Sequence, residues 1–205
     1  VTIQKLFPTA LYVKKHPRPR ALLHALEHEA RVFRKIDELG EQWSKKNYIG
    51  GYTSYSSITD LPYRSTRFGK LKSWIDSQVG IFARALELEL EGGELRMDSC
   101  WLNIMGKGAQ HASHLHPLSV VSGTFYLRVP PGSGDFKIED PRLAAFMASP
   151  ARKVDARIEN RRFVSIEPSA GMLLLFESWM KHEVTPNRSN HERMSVSFNY
   201  SWERV

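Results

Sequence analysis

The sequence predicts an α+β fold in which two helices are followed by an all-β half that closes into a sandwich or small barrel. Three observations carry this expectation. Two long windows within residues 1–94 repeat their apolar residues at helical spacing. From Leu95 onward the texture changes to short β-type runs bounded by Gly, Pro and Asn. The 205 residues suit a single domain spanning 1–205, with a helical and loop part over 1–94 and a β core over 95–205.

Each element has its own signal. The opening VTIQKLFPTALYVKKH alternates and contains Pro8, which fits an edge strand or one or two short strands. The segment RPRALLHALEHEARVFRKIDELGEQW places Leu22, Leu23, Leu26, Ala30, Val32, Phe33 and Ile36 near helical spacing, with Pro19 close to its start and Gly40 near its end. Tyr48 to Pro62, rich in Gly, Ser, Thr and Tyr, reads as a long ordered loop. A second helix is expected from Ser65 to Leu90, with Leu71, Trp74, Ile75, Val79, Ile81, Phe82, Ala85 and Leu86 as its apolar stripe. Strands are expected at Arg96 to Met105, Ser119 to Val129, Phe136 to Glu139, Arg162 to Ile166, Met172 to Phe176, His182 to Thr185 and Arg193 to Trp202, with the helices covering one face. PPGSGDFKIEDPR reads as a hairpin followed by a proline-bounded turn, in which Gly132 and Gly134 supply unusual backbone angles and Asp140-Pro141 opens the next loop. Trp101 and Trp202 are assigned to the core.

Composition excludes several classes. Hydrophobic residues at 41% and charged residues at 25% are ordinary globular values, which argues against disorder and fibres. Apolar runs such as Met172 to Phe176 are too short to cross a bilayer, and no charged start followed by an apolar core marks a signal peptide, so no membrane role and a cytoplasmic location are expected. Cys100 is the sole cysteine; it reads as a packed strand thiol and leaves no disulfide framework or cysteine-based zinc site. The net charge of +7 is spread over Lys14 to Arg20, Lys45, Lys46 and Arg152 to Arg162 without interleaved aromatics, so nucleic acid is not the expected partner. Attraction of a small anion needs far less charge.

Three of the eight histidines fall in HASHLHPLSVVSGTFYLRV, residues 111–129. In an extended chain His114 and His116 face the same side, and His111 is one step out of phase. Two neutral imidazoles on one face begin a metal site, although a pair alone fits a surface cluster equally well. Further on, GMLLLFESWMKHEVTPNRSNHERMSVSFNY gives an apolar strand, a turn, His182 at the start of another strand, and Arg193 heading a strand in which Ser195 and Ser197 share its face. His24 and His28 lie four apart on a helix, where charged neighbours favour a solvated face.

The His-x-His pair, the distant histidine and the arginine after it resemble the 2-oxoglutarate/Fe(II)-dependent oxygenases. More narrowly, LFPTALY, GGYTSYSSITDLP, WLNIMGKGAQHASHLHPLSVVSGTFYLRVPPGSGDFKIEDPR, LLLFESWMKHEVTPN and ERMSVSFNY resemble a family of bacterial 2OG-Fe(II) oxygenases over nearly the whole chain. The resemblance implies a double-stranded β-helix, a cupin-like jelly roll, with the N-terminal helices packed outside the barrel. It implies Fe(II) held by His114, His116 and His182, and 2-oxoglutarate held by Arg193 through a two-pronged contact, with Ser195, Tyr126 and Asn103 as further contacts. It also implies a dioxygenase that consumes O2 and 2-oxoglutarate, releases succinate and CO2, and hydroxylates a small-molecule or carrier-bound substrate. On the residues alone Tyr126 and Ser195 also fit core positions.

One departure stands out. Most of the superfamily has His-x-Asp or His-x-Glu, and three neutral imidazoles leave a site one unit more positive, which alters its redox behaviour and metal preference. Asp135, Glu139 and Asp140 are candidates to restore a carboxylate, and His111 to replace one of the pair. Two other readings follow: a three-histidine cupin-like metal oxygenase that does not use 2-oxoglutarate, and a jelly-roll binding module for an anionic partner. The loop Tyr48 to Tyr55 and Trp179 are the expected substrate contacts. Substrate identity and oligomeric state leave no readable signal, because specificity loops have no code.

Overall fold

A computed structural model describes residues 1–17, 19–142 and 148–205. Arg18, where the first predicted helical segment opens, lies outside the described residues. The strands are β1 (Leu11–Lys15), β2 (Gly51–Thr53), β3 (Gly93–Met105), β4 (His111–His114), β5 (Val121–Arg128), β6 (Phe136–Glu139), β7 (Phe163–Ile166), β8 (Met172–Glu177), β9 (His182–Val184) and β10 (Arg193–Arg204), and the helices are α1 (Pro19–Ile36), α2 (Glu38–Asn47), α3 (Leu61–Arg64) and α4 (Thr66–Ala85). All strand pairs are antiparallel. They form a six-stranded sheet ordered β1-β8-β5-β10-β3-β2 and a four-stranded sheet ordered β4-β9-β6-β7. The fold is the expected jelly roll with helices on one face.

Alternation within the large sheet decides what faces where. Leu102 and Ile104 of β3, Phe125 and Leu127 of β5, Leu173 and Leu175 of β8, and Met194, Val196 and Phe198 of β10 join one buried cluster with Leu23, Leu26 and Ala30 of α1 and Phe68, Leu71, Ile75, Val79 and Phe82 of α4. Burying each Leu or Phe contributes about 1.5–3 kcal/mol, so this face anchors the helices. The intervening residues face the other sheet. There Tyr126, Leu174 and Phe176 pack with Phe136, Ile138 and Met180, while Arg193, Ser195, Asn103, Ser122 and Thr124 are buried polar residues. Such a polar set on an inner face costs free energy unless it has something to bind.

Several sequence expectations are corrected. The first predicted helix is two: α1 ends at Ile36, and the Asp37 carboxylate caps α2 by accepting from the Gly40 backbone N–H at 3.0 Å. Gly40 therefore lies inside α2 rather than near the end of a helix. Asp37 also accepts from Tyr52 Oη at 2.7 Å and Ser57 Oγ at 2.6 Å, tying α2 to the segment that follows. That segment is not all loop, because it contains β2 and the start of α3. The second long helix ends at Ala85, short of Leu90. Gly132 and Gly134 do take positive φ, 74° and 90°, but their turn joins β5 to β6, which lie in different sheets, and so closes no hairpin. Trp202 is 42% exposed at the trailing end of β10 and fills no core.

Candidate metal centre

His114 ends β4, His116 lies two residues beyond it, just before a turn, and His182 opens β9, where it pairs directly with His114. One ring nitrogen from each of the three lies within 4.8 Å of the others. Metal–nitrogen bonds of about 2.1 Å would need these atoms roughly 3 Å apart, so small ring rotations close the set on an ion. Phe136 stacks against His182 at 5.0 Å between ring centroids and Phe176 meets it edge-on at 4.6 Å, which holds that ring in place.

The Nδ1 of each ring faces oxygen. His114 Nδ1 lies 2.7 Å from Ala112 O and His182 Nδ1 lies 2.8 Å from Met180 O, each a backbone carbonyl that can only accept. His116 Nδ1 lies 2.5 Å from Asn199 Oδ1. With the proton placed on Nδ1, every Nε2 presents a lone pair, the arrangement that metal-binding imidazoles require. Burial, then the nearby His114, push the pKa of His182 down to about 3. Burial also lowers that of His116, partly offset by its bond to Asn199. Both rings are accordingly neutral near pH 7. Among the described residues no carboxylate joins the three; Glu139 pairs with Lys181 and Asp140 with Arg142.

His111 stays out of this set, as its phase predicts. A register irregularity separates it from His114, and its ring lies against Tyr48 at 4.7 Å. Burial first, then the nearby His114 and Arg193, lower its pKa to about 3.

Arg193 is the largest fully buried side chain. Its guanidinium lies 5.0 Å from the Tyr126 ring centroid, and its Nη1 reaches only Met105 Sδ at 3.4 Å. Arg193 Nε, Tyr126 Oη and Tyr48 Oη are all buried without a hydrogen-bond partner. Burial raises the pKa of both phenols, and Arg193 pulls each back. A buried cation with no acidic partner among the described residues, flanked by two idle phenols, matches a carboxylate ligand in charge and donor number. Ser195 is buried and sits beside Tyr126 and Asn103 in the strand register, while Asn103 donates to Ser197 Oγ at 3.0 Å.

The predicted substrate contacts divide. Tyr48 turns inward to His111, and Tyr52 is buried and committed to Asp37. Tyr55 is exposed and contacts Trp101 at 5.1 Å, whose ring in turn lies 6.0 Å from that of His116. Trp101 is buried as expected, but on the inner face beside the histidines. Trp179 is 46% exposed. Sequence reasoning missed Tyr48 as a neighbour of Arg193, and it missed Asn199, Ser122 and Ser178 around His116. Asn199 had a visible signal, because it continues the alternating polar series of Arg193, Ser195 and Ser197.

The fold and the clustered imidazoles define a jelly roll with a three-histidine group that could hold a metal ion and a buried arginine on the same inner face. Residues 99–199 match the family described as "Putative 2OG-Fe(II) oxygenase". No match is found among the curated proteins. Among solved structures, the chain is similar to a Pseudomonas putida prolyl-4-hydroxylase, with 20% identity over 94% of this chain and 92% of that one and a TM-score of 0.61. It is similar to HygX from Streptomyces hygroscopicus with nickel and 2-oxoglutarate bound, with 13% identity over 94% and 83% and a TM-score of 0.64. It is also similar to SnoN, a non-heme alpha ketoglutarate dependent epimerase from nogalamycin biosynthesis, with 13% identity over 94% and 76% and a TM-score of 0.64. At these identities the structural likeness speaks for the fold.

Proposed function

We propose that the protein is a 2-oxoglutarate- and Fe(II)-dependent dioxygenase that hydroxylates a small-molecule or carrier-bound substrate, with the whole chain acting as one domain. When bound, the iron and keto acid couple oxidation of 2-oxoglutarate to succinate and CO2 with insertion of an oxygen atom from O2 into a C–H bond. In this reading His114, His116 and His182 hold the metal through Nε2, the donor set a divalent first-row ion accepts. Arg193 clamps the far carboxylate of the keto acid, while Tyr126 and Ser195 add hydrogen bonds and Asn103 borders the site. Tyr48 joins them as a second phenol. The pocket orients the keto acid and its low-polarity walls exclude water, while Tyr55 and Trp101 stand where a substrate would enter.

The observation that carries this reading is the buried Arg193 with its unpartnered Nε beside two unpartnered phenols. It favours a site that takes a carboxylate ligand; in a three-histidine oxygenase without 2-oxoglutarate that carboxylate would have to come from the substrate itself, and keto-acid dependence separates the two. The test is anaerobic titration of metal-free protein with Fe(II) and then 2-oxoglutarate, following the weak visible charge-transfer band of the chelate. The band is expected in wild type and in His111→Ala, and lost in His182→Ala. Fe(II) binding without a band would overturn the keto-acid role, and no Fe(II) binding would overturn the metal site.

A further inference from the structure

The three imidazoles are not oriented in the same way. His114 and His182 each bond a main-chain carbonyl two residues earlier, a contact local to their own stretch of chain. His116 lies beyond the end of β4, where no ladder holds it, and its Nδ1 meets side chains from the opposite sheet. Asn199 Oδ1 lies 2.5 Å from it and Ser122 Oγ 3.0 Å. Ser122 donates to the same Asn199 oxygen at 2.8 Å and lies 2.7 Å from Ser178 Oγ. Ser122 and Ser178 are fully buried, and Ser122 pairs directly with Asn199 across β5 and β10. The main chain adds a further tie, since the His116 N–H donates to Ser178 O at 2.9 Å.

We infer that Asn199, held by Ser122 and Ser178, is a positioning residue that fixes the His116 tautomer and aims its Nε2 at the metal. The inference rests on the metal-binding reading of the three histidines. The protons can be placed consistently: His116 Nδ1–H and Ser122 O–H both donate to the two lone pairs of Asn199 Oδ1, and Ser178 O–H donates to Ser122 Oγ. A residue beyond the strand that must serve as a ligand needs such support more than its two strand-borne partners do. A neutral acceptor also suits a site without a carboxylate ligand, because it orients the ring while adding no charge.

Acceptance is the property to test. Asn199→Leu keeps the size of the side chain and removes the acceptor, whereas Asn199→Asp can only accept. Co(II) serves as the probe, read by equilibrium dialysis and by its visible ligand-field spectrum, with thermal melts of the metal-free proteins alongside. Asn199→Leu is expected to bind Co(II) about 10- to 100-fold more weakly with an altered spectrum, and Asn199→Asp to bind at least as tightly as wild type. Should Asn199→Leu lose its cooperative melt, Ser122→Ala, which frees the amide oxygen without touching β10, is expected to weaken Co(II) in the same direction. Equal affinity and spectrum in Asn199→Leu and wild type would overturn the inference alone, as would an Asn199→Asp as weak as the leucine variant. Wild type that binds no Co(II) would instead overturn the metal reading beneath it.

Discussion

Replacing Arg193 with Met should move ligand-free stability and keto-acid affinity in opposite directions. In the protein Arg193 is 2% exposed, its Nε is unpartnered, its Nη1 meets a thioether sulfur and its guanidinium lies against the Tyr126 ring. Exchanging poorly compensated buried charge for an apolar side chain of similar volume stabilises by about 1–4 kcal/mol. In a domain near this size each kcal/mol corresponds to about 2–4 °C in Tm, so metal-free Arg193→Met is expected to melt several degrees above wild type. Affinity should fall because two charge-assisted hydrogen bonds are lost, together about 3–5 kcal/mol. That amounts to roughly 150- to 5,000-fold in Kd. Differential scanning calorimetry without metal or keto acid reads the first quantity, and anaerobic calorimetric titration of Fe(II)-loaded protein with 2-oxoglutarate reads the second. A variant that melts below wild type and binds 2-oxoglutarate normally would refute both the assignment of Arg193 and the claim that its charge is unmet.

Two further outcomes follow from backbone geometry and titration. A Cβ on Gly134, at φ 90°, would lie 2.1 Å from Thr185 O, whereas one on Gly132, at φ 74°, meets nothing within 4 Å. Gly132→Ala should therefore cost about 1–2 kcal/mol in urea unfolding, from the backbone angle alone, and Gly134→Ala clearly more; equal costs would refute the packing argument. In metal-free protein His111 and His182 have pKa values lowered from 6.5 to about 3, so below pH 6.5 the unfolded chain binds protons that the folded one does not. Stability should fall as pH drops from 6.5 towards 3, by about 1.4 kcal/mol per pH unit for each ring. His111→Phe should remove its share of that slope, and an unchanged slope would show that His111 titrates normally.

The strands were legible where the pattern is local. Phe136–Glu139 appears with the expected ends, and the other runs after Leu95 differ by a few residues, because alternation and flanking turn residues act over short stretches. The break at Asp37 was missed because the apolar spacing continues across it, and only the capping bond to Gly40 separates the two helices. The strand pairing of the Gly132–Gly134 turn was misjudged because a turn sequence is the same whether its strands pair or part. In the site, the His-x-His spacing, His182 and the parity of Arg193 with Ser195 could be read along the chain. Tyr48 against His111 and Asn199 against His116 are contacts between distant segments; alternation puts Asn199 on the inner face but does not name its partner.

The position of β10 explains how one site can serve both a metal and a keto acid. It is a central strand, paired on one side with β3 and on the other, from Met194 onward, with β5, so its inward series after Arg193 is held by ladders along both edges. At one end of that series Arg193 faces Tyr126 and Met105; at the other, Asn199 faces His116. His114 and His182 lie across from them on paired strands of the smaller sheet. Metal ligation in the proposed site would therefore join the two sheets, with His116 as the ligand whose support comes from the large sheet. In the proposed site the spacing between carboxylate clamp and metal would then follow β10, which pairs with β3 at Arg193 and with both neighbours from Met194 onward. In that arrangement the orientation of His116 would come from an amide and two hydroxyls, which leaves the charge of the three-histidine set unchanged.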